Sequence, residues 1–223
     1  MVLKAVLFDH DGTLVDSEGV HYQMWLEVLK PYGVSISADQ YMRIYSGLPT
    51  IDNAIDLIER FQLSAAVDDL VAKKLEIAHA YLKEHAFPLM AGAQAILDYF
   101  QQQPSIRQAI VTGAGAQIVN ATVRSHALAD YFSTIVSYDD VEHSKPAPDC
   151  YLLAQQRLGL DASECIAIED TEHGVASAVA AGIACIAIPN AQSQRHDFSK
   201  AVVVLPNLEA AQAWIQQRYQ LTV

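Results

Sequence analysis

The sequence predicts an open, parallel α/β sheet with helices on both faces, interrupted once by an all-helical insert. Three observations predict it. Short apolar runs alternate with segments of helical spacing, as strands joined by crossover helices do. The first of these runs, ending at Phe8, is fully apolar rather than alternating, the pattern of a parallel strand covered on both faces. One interval, residues 17–87, carries helical spacing four times and no convincing strand.

Lys4 to Phe8 is the first strand, and it ends abruptly in Asp9-His10-Asp11-Gly12-Thr13. The insert follows, with helices expected over 22–32, 38–45, 51–61 and 64–84. Its two crossings fall at Val15-Asp16-Ser17 and Phe87-Pro88-Leu89. The alternation then resumes. A helix over 93–103 leads to a strand at Arg107–Thr112, and a helix over 117–126 leads to a strand at Thr134–Ser137. A helix over 149–158 leads to a strand at Cys165–Ile168, and a helix over 174–181 leads to a strand at Ala184–Ile188. A last strand at Ala201–Leu205 and a helix over 208–218 complete the pattern. The domains expected are therefore 1–16 with 88–223 as the sheet-bearing core, and 17–87 as the helical insert.

The composition suits a globular chain and excludes several partners. Of 223 residues, 52% are hydrophobic and 18% charged, which is too apolar for disorder. The formal net charge of -12 repels nucleic acid and anionic membranes, and no apolar run is long enough to span a bilayer. Cys150, Cys165 and Cys185 form no C-x-x-C pattern and are expected as reduced, buried thiols. The chain opens directly on a strand, with no basic leader, so a cytoplasmic location is expected. The oligomeric state stays open, a monomer being compatible with everything above. An acidic chain also repels anionic substrates unless its site carries local positive charge.

That site is predicted at the carboxyl ends of the strands, where open α/β sheets bind ligands. Two carboxylates at the tip of a buried strand are costly to desolvate without a compensating cation or proton. At roughly 5% usage per residue type, the pattern D-x-D-G-T arises by chance in about one chain in a thousand of this length. Three more polar segments stand at strand ends or helix starts. Thr112-Gly113-Ala114-Gly115 offers a hydroxyl and backbone N–H groups at a helix N-terminus, an anion site. Lys145, in Ser144-Lys145-Pro146-Ala147-Pro148, offers a point charge. Glu169-Asp170-Thr171 offers further carboxylates. Each segment alone has an ordinary structural reading: a turn, a surface lysine, a helix cap. Together they match phosphoryl transfer, which needs positive charge and fixed donors around the phosphate oxygens. Asp9, Asp11 and Asp170 can offer oxygens to a hard cation such as Mg²⁺. One aspartate can attack phosphorus, and its neighbour two residues on can move the proton. His10 lies between them on an extended chain, where alternation points it the other way, and it receives no chemical role.

These residues resemble the haloacid dehalogenase-like superfamily, over nearly the whole chain. The matching motifs are Asp9-His10-Asp11-Gly12-Thr13, Thr112, Lys145 within S-K-P-x-P, and Glu169-Asp170-Thr171-Glu172-His173-Gly174. Within the superfamily the chain is most similar to the β-phosphoglucomutase and phosphoglycolate phosphatase branch. The resemblance implies a Rossmann-like core with a helical cap over 17–87, Asp9 as nucleophile and Asp11 as general acid/base. It implies Mg²⁺ held by Asp9, the backbone carbonyl of Asp11, and Asp170, with Glu169 as a further acid beside the metal. It implies that Thr112 and Lys145 hold the phosphoryl group, with Gly113 beside them. Dehalogenases of the superfamily lack the second aspartate, so Asp11 argues against that chemistry. Mutases of the branch carry a cap arginine in G-x-x-R that grips a second phosphate. The corresponding segment here is Gly47-Leu48-Pro49-Thr50, with threonine in its place. His21 matches a histidine carried by family members, and Lys73 or Lys74 could supply the cap lysine; packing and a solvated helix face are the competing readings.

The reading favoured by the sequence is a Mg²⁺-dependent phosphatase acting on a small phosphorylated metabolite such as a sugar phosphate or phosphoglycolate. Its alternative is a hexose-phosphate mutase with the same chemistry. A non-catalytic binding module on the same fold ranks third, because it would have no need of a nucleophile.

Overall fold

A computed structural model describes residues 2–46, 48 and 50–219. The chain forms two compact units: one runs up to Asp16 and resumes at Pro88, and the other is Ser17–Phe87.

The first unit is a six-stranded, wholly parallel sheet in the order β3-β2-β1-β4-β5-β6. Its strands are β1 (Ala5–Phe8), β2 (Arg107–Val111), β3 (Thr134–Val136), β4 (Cys165–Glu169), β5 (Ala184–Ala187) and β6 (Val203–Val204). The three central strands are apolar without alternation because both faces are covered. On one face Leu7, Ala109 and Ala167 join Tyr151, Val175 and Ala178 in a single core. On the other, the Phe8 ring meets Phe100 at 6.5 Å and the Gln108 amide donates to the Leu97 carbonyl. Phe8, Ile110 and Ile168 lie in register, so the residues that follow them reach one edge of the sheet together. Asp9, Thr112, Glu169 and Asp170 stand on that edge.

The strand expected over 201–205 contracts to Val203–Val204. It is an edge strand with β5 as its single neighbour, and Val204 faces solvent. The helix expected from Gly174 starts earlier, at Glu172, because the Thr171 hydroxyl caps it by accepting from the Gly174 N–H. The three cysteines are buried and unpaired.

The two crossings between units are pinned side by side within the first. Val15 bridges Leu89, the Asp16 N–H donates to the Pro88 carbonyl at 2.9 Å, and the Met90 N–H donates to the Leu14 carbonyl at 2.9 Å.

The second unit holds four α-helices: α1 (Ser17–Leu29), α2 (Ala38–Ile44), α3 (Thr50–Phe61) and α4 (Val67–Glu84). They enclose their own core of Trp25, Leu29, Tyr41, Tyr45, Leu57 and Leu70. The helix expected over 22–32 begins at Ser17 and gives way at Lys30 to a short 3₁₀ turn, where Pro31 lacks the N–H that an α-helix needs. The helix expected from Ser64 begins at Val67, since the Leu63 N–H folds back on the Ile58 carbonyl to close α3. Of the segment Gly47-Leu48-Pro49-Thr50, Gly47 and Pro49 lie outside the described residues, and Thr50 opens α3. Among the described residues no helix is long and apolar enough to cross a membrane.

Candidate active site

Five helices of the first unit follow the insert: α5 (Ala93–Gln101), α6 (Ala116–Ser125), α7 (Asp149–Leu158), α8 (Glu172–Ala180) and α9 (Leu208–Arg218). Lys145 lies just before α7, and that places its side chain across the tips of three strands. Its ammonium donates to Asp9 Oδ1 at 2.6 Å, to Glu169 Oε1 at 2.6 Å and to the Val111 carbonyl at 2.8 Å. All three of its protons are thus used. The ammonium also stands 5.4 Å from the centre of the Tyr151 ring, on α7. Burial works against its charge, but the two carboxylates outweigh burial and hold it protonated well above the ordinary lysine value.

Asp9, Glu169 and Asp170 are all buried, with ligand-type oxygens within 4.8 Å of one another. The Asp9 N–H donates to the Ile168 carbonyl at 3.0 Å and so ties the loop to β4. Tyr151 donates its hydroxyl to Glu169 Oε1 at 2.6 Å, and Asn190 donates its amide to Asp170 Oδ2 at 2.7 Å. Asn190 follows β5 and is itself fixed, its N–H bound to Ser193 Oγ and its Oδ1 accepting from the Gln192 N–H. Tyr151 and Asn190 escaped the sequence reading. Asn190 was within reach of it, as a polar residue beyond a strand's carboxyl end; Tyr151, one more aromatic on an apolar helix face, gave no signal.

Two glycines make room for these acids. A Cβ on Gly174 would fall on the Glu169 carboxylate, and one on Gly12, at φ +78°, would fall on Asp170. Gly174→Ala is expected to destabilise the protein by about 1–3 kcal/mol through overpacking. It should also lower turnover, since Glu169 must shift. Urea unfolding alongside an activity assay checks both effects.

Three buried carboxylates against one lysine leave the site short of positive charge. Burial raises the Asp9 carboxyl above its ordinary value; Lys145 opposes this and Asp11 adds to it. Burial lifts Glu169 to about 7 against the pull of Lys145, with Asp9 adding to the rise. Burial and the charges of Asp9 and Glu169 lift Asp170 well above its ordinary value. A nucleophilic carboxylate must be ionised, so this donor set fits a hard divalent cation. A consequence follows for stability. Without metal, the folded protein keeps a proton on Glu169 up to about pH 7, whereas the unfolded chain loses it near 4.5. Stability therefore falls as pH rises through that window. In EDTA the melting temperature should drop across this range. Excess Mg²⁺ should restore it at neutral pH, with a smaller gain in acid, where protons compete with the metal. Melting curves with and without Mg²⁺ at several pH values check this.

The other expected residues fall in two groups. Thr112 is buried at the edge, and its hydroxyl accepts from the Ala114 N–H at 3.0 Å. Gly113 lies beside it, with Ser144 Oγ 3.3 Å from where a Cβ would stand. At the start of α6 the Ala116 N–H is taken by Asp139 Oδ2 at 2.7 Å, so the helix start already holds a carboxylate. The Asp11 carboxylate stands apart from the acidic cluster, its side chain 36% exposed and its Oδ2 3.0 Å from His10 Nδ1. His10 thus engages one oxygen of the Asp11 side chain. His10 does not point away as strand alternation suggests: β1 ends at Phe8, and the turn that follows rotates the ring onto Asp11.

His21, Thr50 and Lys74 belong to the helical unit. Lys74 is 6% exposed and donates to His21 Nδ1 at 3.1 Å, and the His21 ring meets Phe87 edge-on. Burial lowers the Lys74 ammonium from its ordinary value, with Glu18 opposing. Lys73 is on the exposed side of α4, paired with Glu76.

The chain is similar to several known proteins. The family model described as "Haloacid dehalogenase-like hydrolase" matches residues 6–188. The chain is 34% identical over 178 residues to the fructose-1-phosphate phosphatase YqaB of Escherichia coli K12, covering 80% of this chain and 92% of that one. It is 31% identical over 212 residues to hexitol phosphatase A of the same organism, covering 94% and 93%. A crystal structure of mutant CbbY from Rhodobacter sphaeroides in complex with xylulose-(1,5)bisphosphate superposes with a TM-score of 0.70 at 25% identity, covering 92% and 95%.

Proposed function

The chain belongs to the haloacid dehalogenase-like hydrolases and is a phosphoric monoester hydrolase, and we propose that it dephosphorylates a small sugar phosphate, with Mg²⁺, through an aspartyl-phosphate on Asp9. The observation that carries this reading is the lysine clamp. Lys145 fixes one Asp9 oxygen at 2.6 Å while Glu169 and Asp170 crowd the same point. Such a cluster has little use in a purely structural role, since three buried acids oppose folding.

Asp9 attacks phosphorus, and the bond from phosphorus to the sugar oxygen breaks. Asp11 gives its proton to that oxygen. The Asp11 carboxylate then takes a proton from water as the water oxygen attacks phosphorus, and Asp9 leaves as the free carboxylate. Thr112 and Gly113 steady the phosphoryl oxygens in this reading, and Lys145 gives up one of its three contacts to join them. Asp9, Asp170 and the Asp11 carbonyl would hold Mg²⁺, with Glu169 beside them; bound there, the ion neutralises phosphate charge. For specificity we propose His21, Lys74 and Thr50 as the positions to vary. The sugar phosphatases among the relatives support the substrate class. Thr50, where a mutase would carry arginine, supports hydrolysis over transfer between sugars. The unpaired cysteines support a cytoplasmic setting.

A panel of sugar phosphates, hexitol phosphates and phosphoglycolate, assayed with Mg²⁺ for released phosphate, tests the reading. Release from sugar or hexitol phosphates is expected. Interconversion of β-glucose 1-phosphate without phosphate release, followed by NMR with a bisphosphate primer, would make the chain a mutase. No turnover of any member would leave a binding module.

A further inference from the structure

We propose that His10, anchored by Thr122 of α6, is the residue that positions Asp11 for proton transfer to the leaving group. The inference rests on the reading of Asp11 as general acid/base.

His10 is fully buried, and both ring nitrogens are engaged. Nδ1 lies 3.0 Å from Asp11 Oδ2, and Nε2 lies 2.9 Å from Thr122 Oγ1. Its backbone is equally fixed, because the N–H groups of Leu14 and Val15 both donate to its carbonyl, at 2.9 and 3.0 Å. A neutral imidazole has one donor and one acceptor. An ionised carboxylate only accepts, so Nδ1 carries the hydrogen toward Asp11. Nε2 is then the acceptor, and the Thr122 hydroxyl donates to it. The chain runs in one direction, Thr122 to His10 to Asp11.

This chain does for Asp11 what the aspartate itself cannot do. Its side chain is 36% exposed, and an exposed carboxylate turns freely between rotamers. The imidazole holds the carboxylate by Oδ2 and so fixes the plane in which it carries and returns the proton. An acid already in place spares the reaction the cost of finding its geometry. A buried histidine that is merely satisfied would need no partner at the reactive end of a catalytic loop.

Leaving groups separate positioning from structure. p-Nitrophenolate departs without a proton, whereas the alkoxide of fructose 1-phosphate needs one. The ratio kcat/KM reports the chemistry up to phosphoryl transfer. His10→Phe and Thr122→Val are both to be measured, because each also changes a buried side chain. Both should lower kcat/KM for fructose 1-phosphate by about tenfold or more, short of the roughly 10²–10⁴ that loss of the general acid itself costs. Both should leave p-nitrophenyl phosphate within a few-fold of the parent. Thr122→Ser keeps the hydroxyl and should restore the loss. The double variant should be no worse than His10→Phe alone, since both act through one chain. Equal losses on the two substrates, or no loss on fructose 1-phosphate, would overturn the proposal. Asp11→Asn is the reference: it should show the same bias toward the phenyl ester, only larger. If it shows none, the assignment of Asp11 is what fails, and the role of His10 fails with it.

Discussion

Replacing Asp9 with asparagine is expected to abolish turnover, by at least on the order of 10⁴-fold on every phosphomonoester, while the fold survives. The loss is chemical because an amide cannot form the bond to phosphorus that the carboxylate forms. Survival of the fold follows from the same geometry. Asp9 is one of three buried acids and shares Lys145 with Glu169, and its own charge is disfavoured by burial. Neutralising it removes repulsion from Glu169 and Asp170, while Lys145 keeps Glu169 and the Val111 carbonyl. The melting temperature of the metal-free variant should therefore equal or exceed that of the parent. Calorimetry and a phosphate-release assay on the same preparation check both halves. A variant that loses activity and stability together would mean that Asp9 holds the fold.

Lys145→Met has the opposite signature. It removes the buried cation that Asp9 and Glu169 share and leaves the Val111 carbonyl without that donor. Uncompensated buried charge costs about 3–5 kcal/mol, so the metal-free variant should unfold at much lower urea. Activity should vanish as well, since the orientation of Asp9 is lost. Adding Asp9→Asn to Lys145→Met should return about 1–3 kcal/mol, because the two residues are coupled through one contact. Simple addition of the two single effects would show that the clamp is energetically idle.

Much of this architecture was legible in the sequence, and the parts that were not have specific causes. β1 and β5 are legible because both of their faces are covered, which leaves an unbroken apolar run. β6 was overread because an edge strand needs few apolar residues, and its flanking alanine and leucine mimic a longer one. Asp9, Lys145, Glu169 and Asp170 were found from their places at strand ends, and the sheet register brings them together. The expected Thr112-Gly113 anion site is more occupied than its motif suggests, with Ala114 bound to Thr112 and Ala116 to Asp139, a residue outside the motif. His10 was misplaced because alternation holds only while the chain stays extended, and here it turns right after Phe8. The contact with Thr122, 112 residues away, leaves no trace in local pattern.

The central claim is a covalent phosphoryl group on Asp9, and trapping it is the most direct test. The enzyme is mixed with a turned-over sugar phosphate and Mg²⁺, quenched in acid during the steady state, and reduced with borohydride. An acyl phosphate is thereby converted to homoserine, and peptide mass spectrometry locates the change. Homoserine is expected at position 9 and is absent when substrate is left out. Reduction at Asp11 or at another acid, or turnover with no reducible residue at all, would contradict it.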